Sequence, residues 1–292
     1  MRITLISFLA AATLHAEPIF RLQPHPEKLS SLAITEASGL AVSATNGDFL
    51  WIINDSGGTN EIHLADKDGT PRGSISVEGT TNRDWEDLAS FSLDGTPYLL
   101  IADTGDNSSK RRFVTLYVVQ EPSLPTAGKN LSGKVPVAWD INFTFEGGAR
   151  DCEAVAVDET GRKIILTSKR TEPPGVYELP LRPAKNPIAR KIGSTETRAT
   201  GLTLPIAFRN QPTGMDISAD ASMAVITTYH GAFLFRRKAG ETWAETFVRK
   251  PESLGPHGLQ QAEAIAFAND GMSIYLVSEG KDSPIARFMT SP

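Results

Sequence analysis

The sequence predicts an all-β fold, specifically a five-bladed β-propeller built from four-stranded blades. Three observations predict it. One short template occurs five times, each copy is followed by a fixed succession of apolar runs and turns, and the copies recur at the length of a propeller blade. The template reads "EASGLAVS" from Glu36, "DWEDLASF" from Asp84, "DCEAVAVD" from Asp151, "QPTGMDIS" from Gln211 and "QAEAIAFA" from Gln261. Its third position holds Ser38, Glu86, Glu153, Thr213 or Glu263, and its fifth holds Leu40, Leu88, Val155, Met215 or Ile265. Alternation with period two marks a strand.

The elements follow in chain order. The opening stretch "MRITLISFLAAATLHAEP" has one basic residue, Arg2, a short apolar run and a small residue at Ala16. It has the form of a signal peptide, 1–16, too short for a membrane span, so the mature chain is expected to be secreted or periplasmic. Residues 17–292 are expected to form a single propeller domain. After each template comes a second strand and a turn: "FLWIINDSGG", "PYLLIADTGDN", "KIILTSKRTEPPG", "MAVITTYHG" and "SIYLVSEGKD". Third strands are predicted at "EIHLAD", "VTLYVV", "GVYELPL", "AFLFRR" and "IARFMT". Fourth strands are predicted at "RGSISVEG", "DINFTFEG", "RKIGSTET" and "AETFVRK". The fifth unit runs out of chain, and "PIFRLQPHPEKL" near the amino terminus supplies its missing strand, closing the ring without an unpaired edge. Six blades are the alternative. The extra one would have to come from 122–137 or 185–210, and neither holds a full set of strands.

Composition narrows the function. The chain has 292 residues, 40% of them apolar, and a formal charge of -5. No basic run is longer than "KRR" at Lys110, Arg111 and Arg112, so a nucleic-acid duplex has no electrostatic footprint to bind. Cys152 is the single cysteine, which rules out an intramolecular disulfide and fits a small buried residue within a strand. No G-x-S-x-G elbow, phosphate-binding P-loop or H-E-x-x-H pair occurs.

The first strand of a propeller blade lines the central channel. The five third-position residues are therefore expected to form one ring of three carboxylates and two hydroxyls. Like charges so placed oppose ionisation unless a cation sits among them. An all-oxygen set suits Ca²⁺ better than zinc or copper, so Ser38, Glu86, Glu153, Thr213 and Glu263 are the candidate calcium ligands. Channel glutamates can instead cap backbone groups or hold water. In "RDWEDLAS", Glu86 faces the channel, Asp84 lies toward the open face, and Trp85 and Asp87 pack or bond between blades.

The order Ser, Glu, Glu, Thr, Glu over five blade-initial strands resembles the calcium-activated nucleotidase (apyrase) family of five-bladed propellers. Bacterial phytase-like and esterase-like propellers are a looser likeness. The apyrase resemblance implies calcium held in the channel by those five positions and nucleoside diphosphate hydrolysis at its mouth. Asp55 in "INDSG" and the pair Lys169 and Arg170 in "SKR" fall on matching positions. Ser56 and Gly57 stand where that family has an arginine.

The same face gathers Asp84, Asp151, Asp103, Asp106, Tyr229, His230 and Glu279. A phosphohydrolase reading assigns the anion to Lys169 and Arg170, water activation to Asp84 or Asp151, and leaving-group protonation to His230. The partner is then a small anionic substrate. The alternative is a non-enzymatic propeller that binds a glycan or protein and uses calcium structurally, for which exposed aromatic residues would be the mark.

Overall fold

The computed structural model describes residues 17–24, 27–198 and 209–290. The predicted leader, 1–16, lies outside the described residues. The first strands along the chain are β1 (Phe20–Leu22), β2 (Glu27–Lys28), β3 (Ala37–Val42), β4 (Phe49–Asn54), β5 (Glu61–Asp66) and β6 (Pro71–Val77). There follow β7 (Trp85–Leu93), β8 (Thr96–Asp103), β9 (Val114–Gln120), the short β10 (Lys134–Val135) and β11 (Val137–Phe145). Next come β12 (Cys152–Asp158), β13 (Lys163–Ser168), β14 (Gly175–Pro180) and β15 (Ile188–Ser194). The last are β16 (Gly214–Ile217), β17 (Met223–Thr227), β18 (Ala232–Arg236), helix α1 (Trp243–Phe247), β19 (Glu252–Gly255), β20 (Ala262–Phe267), β21 (Ser273–Ser278) and β22 (Pro284–Thr290). No helix among the described residues is long and apolar enough to cross a membrane.

The strands pair as successive antiparallel meanders. β3 to β6 form one, with β10 added in parallel to β6 on its outer edge. β7-β8-β9-β11 and β12-β13-β14-β15 form two more, joined into one sheet where Thr144 and Phe145 pair in parallel with Ile188 and Ala189. β16 to β19 make another. β20 to β22 make the last, and β1 completes it by pairing Phe20 with Thr290 and Leu22 with Phe288. The first strands β3, β7, β12, β16 and β20 pack each against the next, and β20 against β3. This is an all-β, propeller-type ring, and β1 and β22 share a sheet.

The core is divided in the same way. Apolar clusters fill the space between neighbouring sheets, for example Trp51, Trp85, Leu88 and Val119 between the first and second. Leu40, Ile52, Tyr275 and Val277 fill the space between the last sheet and the first. Cys152 is fully buried in such a layer, as its sequence setting implies.

Two expectations are corrected. "AETFVRK" is not a fourth strand. Thr242 caps α1, its side chain accepting from the Glu245 backbone while Glu245 reaches back to the cap. That reciprocal box overrides the β-prone Thr, Phe and Val, and β19 takes the edge instead. The second correction concerns the template itself. Pairing of first and second strands shifts register at Ser38, Glu86, Glu153 and Glu263, so each of these four third positions is the extra residue of a β-bulge. A bulge breaks the period of two, which is why Glu86 points to the channel mouth while Leu88 packs between sheets.

Candidate functional site: an acidic channel mouth

The bulges bring the template residues to one end of the axis. Ser38 donates its hydroxyl proton to the Glu86 carbonyl at 2.6 Å, and Thr213 donates to the Ala262 carbonyl at 2.7 Å. Both hydroxyls thus tie neighbouring first strands together. Glu86, Glu153 and Glu263 are each 5% exposed or less. Ligand atoms lie within 4.8 Å of one another in three overlapping sets: Asp55 with Asp84 and Glu86; Glu86 with Asp151 and Glu153; and Asp55 with Glu263 and Glu279. These sets could hold a metal ion.

Gly105, in the turn after β8, fits closely over the first set. A Cβ there would lie 2.1 Å from Glu86 Oε1 and 2.5 Å from Asp84 Oδ2. Glycine is needed for the approach of the carboxylates, since its backbone is not in the left-handed region. Among the described residues the Glu86 carboxylate receives no better donor than the Ser38 hydroxyl at 3.5 Å, and that proton is already given to the backbone.

Part of the charge is met by the protein itself. The Lys169 ammonium is 5% exposed and pairs with Glu153. It also donates to the Tyr229 hydroxyl at 3.4 Å, which donates to Glu263 Oε1 at 2.5 Å. One chain of bonds therefore links two of the ring carboxylates. Arg170 donates to Asp151 Oδ2 at 2.7 Å and also to Asn107. Asp151 Oδ1 accepts from the Asp106 backbone at 2.8 Å.

Seven carboxylates facing two such cations remain strained. Burial, then the Asp55 and Asp151 charges, pushes Asp84 up to about 6. Burial and Glu153 hold Glu86 well above the carboxylate range. Burial lifts Glu153 to about 7 against the pull of Lys169, and burial with Glu153 lifts Glu263 to about 9. Burial opposes the charge on Lys169, but Glu153, Glu263 and Glu86 outweigh it and raise its pKa. Tyr229 is raised by burial and by Glu263.

Of the predicted site residues, Glu86, Glu153, Glu263, Asp84, Asp151 and Lys169 come together here, with Arg170 at the rim. His230 lies in the turn between β17 and β18, and among the described residues its ring makes no hydrogen bond to the carboxylates. Burial, then Arg209, lowers its pKa. Sequence reasoning gave no role to Gly105, Glu279 or Tyr229. The "DTG" that carries Gly105 reads as an ordinary turn, and nothing in it signals a packed carboxylate. Asp103, placed on the same face by its sequence position, is occupied by a buried ion pair with Arg111 at 2.7 Å.

No family model matches the chain, and no curated protein matches it. Among solved structures, it is similar to hydrazine synthase of Kuenenia stuttgartiensis at 10% identity, over 87% of this chain and 84% of that one, with a TM-score of 0.46. It is also similar to XC5397, a gluconolactonase of Xanthomonas campestris, at 12% identity over 88% and 72% of the two chains, with a TM-score of 0.48. Likenesses this distant carry no argument about chemistry, so the chemical argument rests on the channel mouth itself.

Proposed function

We propose that the chain is an exported, five-bladed propeller that binds Ca²⁺ at the channel mouth and hydrolyses a small phosphorylated substrate there. One observation carries this reading: Asp55, Asp84, Glu86, Asp151, Glu153, Glu263 and Glu279 converge with, among the described residues, only Lys169 and Arg170 paired against them. A surplus of oxygen ligands with no histidine or thiol among them fits a hard cation of flexible coordination. Glu86, crowded under Gly105, and Asp55 are the first ligands, with Glu153 and Glu263 across the channel and Asp84 beside them. Bound calcium would supply positive charge for a phosphoryl oxygen.

The chain's own residues supply the rest. Asp84, half-buried and raised to about 6, is placed to take a proton from water near neutral pH. Arg170, partly exposed beside Asp151, is placed to orient an anion at the rim. Lys169 is committed to Glu153 and holds the ring together rather than the substrate. That commitment also favours a second reading, a binding propeller in which calcium is structural.

The test is phosphate release from nucleotides, phytate and sugar phosphates, with calcium or with chelator, alongside thermal melts. Turnover that needs calcium and falls about 100-fold or more in Asp84→Asn, with the calcium-dependent melt retained, is the expected result. A retained calcium shift with no turnover selects the structural reading. No calcium shift at all removes the metal.

A further inference from the structure

Arg111 turns inward to Asp103 and the Gly105 carbonyl, but Lys110 and Arg112 on either side of it are not used by the channel mouth. The run lines a separate cleft of about 430 Å³ on the outer flank, between the 106–114 loop and the end of β11. Lys110 and Arg112 are exposed, and neither forms an ion pair among the described residues. Across the cleft, Arg150 lies over the Tyr177 ring at 4.9 Å and the Phe145 ring at 5.8 Å. Its Nε and Nη2 donate to the carbonyls of Gly148 and Glu146, each at 3.2 Å. A guanidinium held by two rings and two carbonyls, with no carboxylate against it among the described residues, is oriented in advance for an anion. The nearest acids are otherwise engaged. The Asp106 carboxylate accepts the backbone N–H groups of Lys110 and Arg111, and Glu146 accepts that of Lys191.

Between these cations stands Phe113, 51% exposed and the only aromatic residue in the exposed class among the described residues. An exposed ring amid unpaired cations, on a chain of net charge -5, is a recognition feature rather than a solvated face. An inorganic anion would leave most of this volume empty and would not use the ring. We propose that Lys110, Arg112, Phe113 and Arg150 form a binding site for an acidic oligosaccharide, its carboxylate or sulfate groups meeting the cations and the apolar face of a sugar lying on Phe113. The volume suits two or three sugar units. The site is independent of the metal and of any hydrolysis at the channel mouth.

Calorimetric titration of the whole chain at physiological salt, with a uronate trisaccharide, a sulfated tetrasaccharide and a neutral oligosaccharide of like length, tests this. One or both acidic sugars should bind and the neutral one should not, and the two acidic arms tell which anionic group is read. Arg112→Ala and Phe113→Ala, both at exposed positions, should each weaken binding about tenfold without moving the melt. Arg150→Lys keeps the charge, loses the fork, and should weaken it too. Chelating calcium should change nothing. Absence of binding by both acidic sugars overturns the site. So does binding that Phe113→Ala leaves unchanged and millimolar phosphate displaces, because that is diffuse charge attraction.

Discussion

Glu86 and Asp87 are adjacent in sequence and both buried on the propeller axis, yet they are neutralised in opposite ways. Glu86 faces other carboxylates at the channel mouth and receives no strong donor. Asp87, one step deeper, accepts the backbone N–H groups of Leu88 at 2.8 Å, Val155 at 2.7 Å and Met215 at 3.1 Å. It therefore ties β7 to β12 and β16. Asp216 does the same with Ile217 and Phe267, each at 2.8 Å, tying β16 to β20. The deeper acids are satisfied by the fold, whereas those at the mouth are left for something else to satisfy. A buried carboxylate alone does not indicate a metal; its lack of donors does.

The strongest way to break this comparison is Asp87→Ala. Three buried N–H groups would lose their acceptor at the junction of three first strands, and about 3–5 kcal/mol of stability should be lost in urea unfolding. Calcium should not restore it. If calcium did restore it, the two layers would be one site and the distinction between them would fail.

The ring of first strands, three of the four predicted fourth strands, and the convergence of Glu86, Glu153 and Glu263 follow from one repeated pattern that local sequence carries. What was not legible depends on contacts across blades. The bulge at the template's third position is a backbone event that hydrophobic alternation cannot encode. The bond of Lys169 to Tyr229, and that of Tyr229 to Glu263, join residues of different repeats. Helix α1 was concealed by residues equally at home in a strand, although Thr242 and Glu245 carried its signal.

The second prediction sharpens the comparison through pH. The folded-state values of Asp84, Glu153 and Glu263, about 6, 7 and 9, lie above those of ordinary carboxylates. Without metal, the folded state binds more protons than the unfolded state across this window, so stability is fullest at low pH and is lost as pH rises through these values. In chelator the melting temperature should fall by roughly 5–10 °C between pH 5 and pH 9. Calcium should flatten the curve by replacing protons at the mouth. The slope that remains should belong to the deeper layer, where burial raises Asp216 to about 7 against its two backbone bonds. A flat curve in chelator would mean that the mouth carboxylates carry no stored repulsion.

The smallest expected effect on stability is the most local. Gly105→Ala adds one methyl group where Glu86 Oε1 and Asp84 Oδ2 approach, at a backbone conformation that alanine accepts. The carboxylates can move apart into the channel, so the metal-free melt should change by less than about 1 kcal/mol. Calcium affinity should nevertheless fall about tenfold, because the displaced Glu86 oxygen is one proposed to meet the ion. Asp87 lies on the deeper layer and should be indifferent to the substitution. An unchanged affinity in a folded Gly105→Ala protein would move the cation away from Glu86, toward the set formed by Asp55, Glu263 and Glu279.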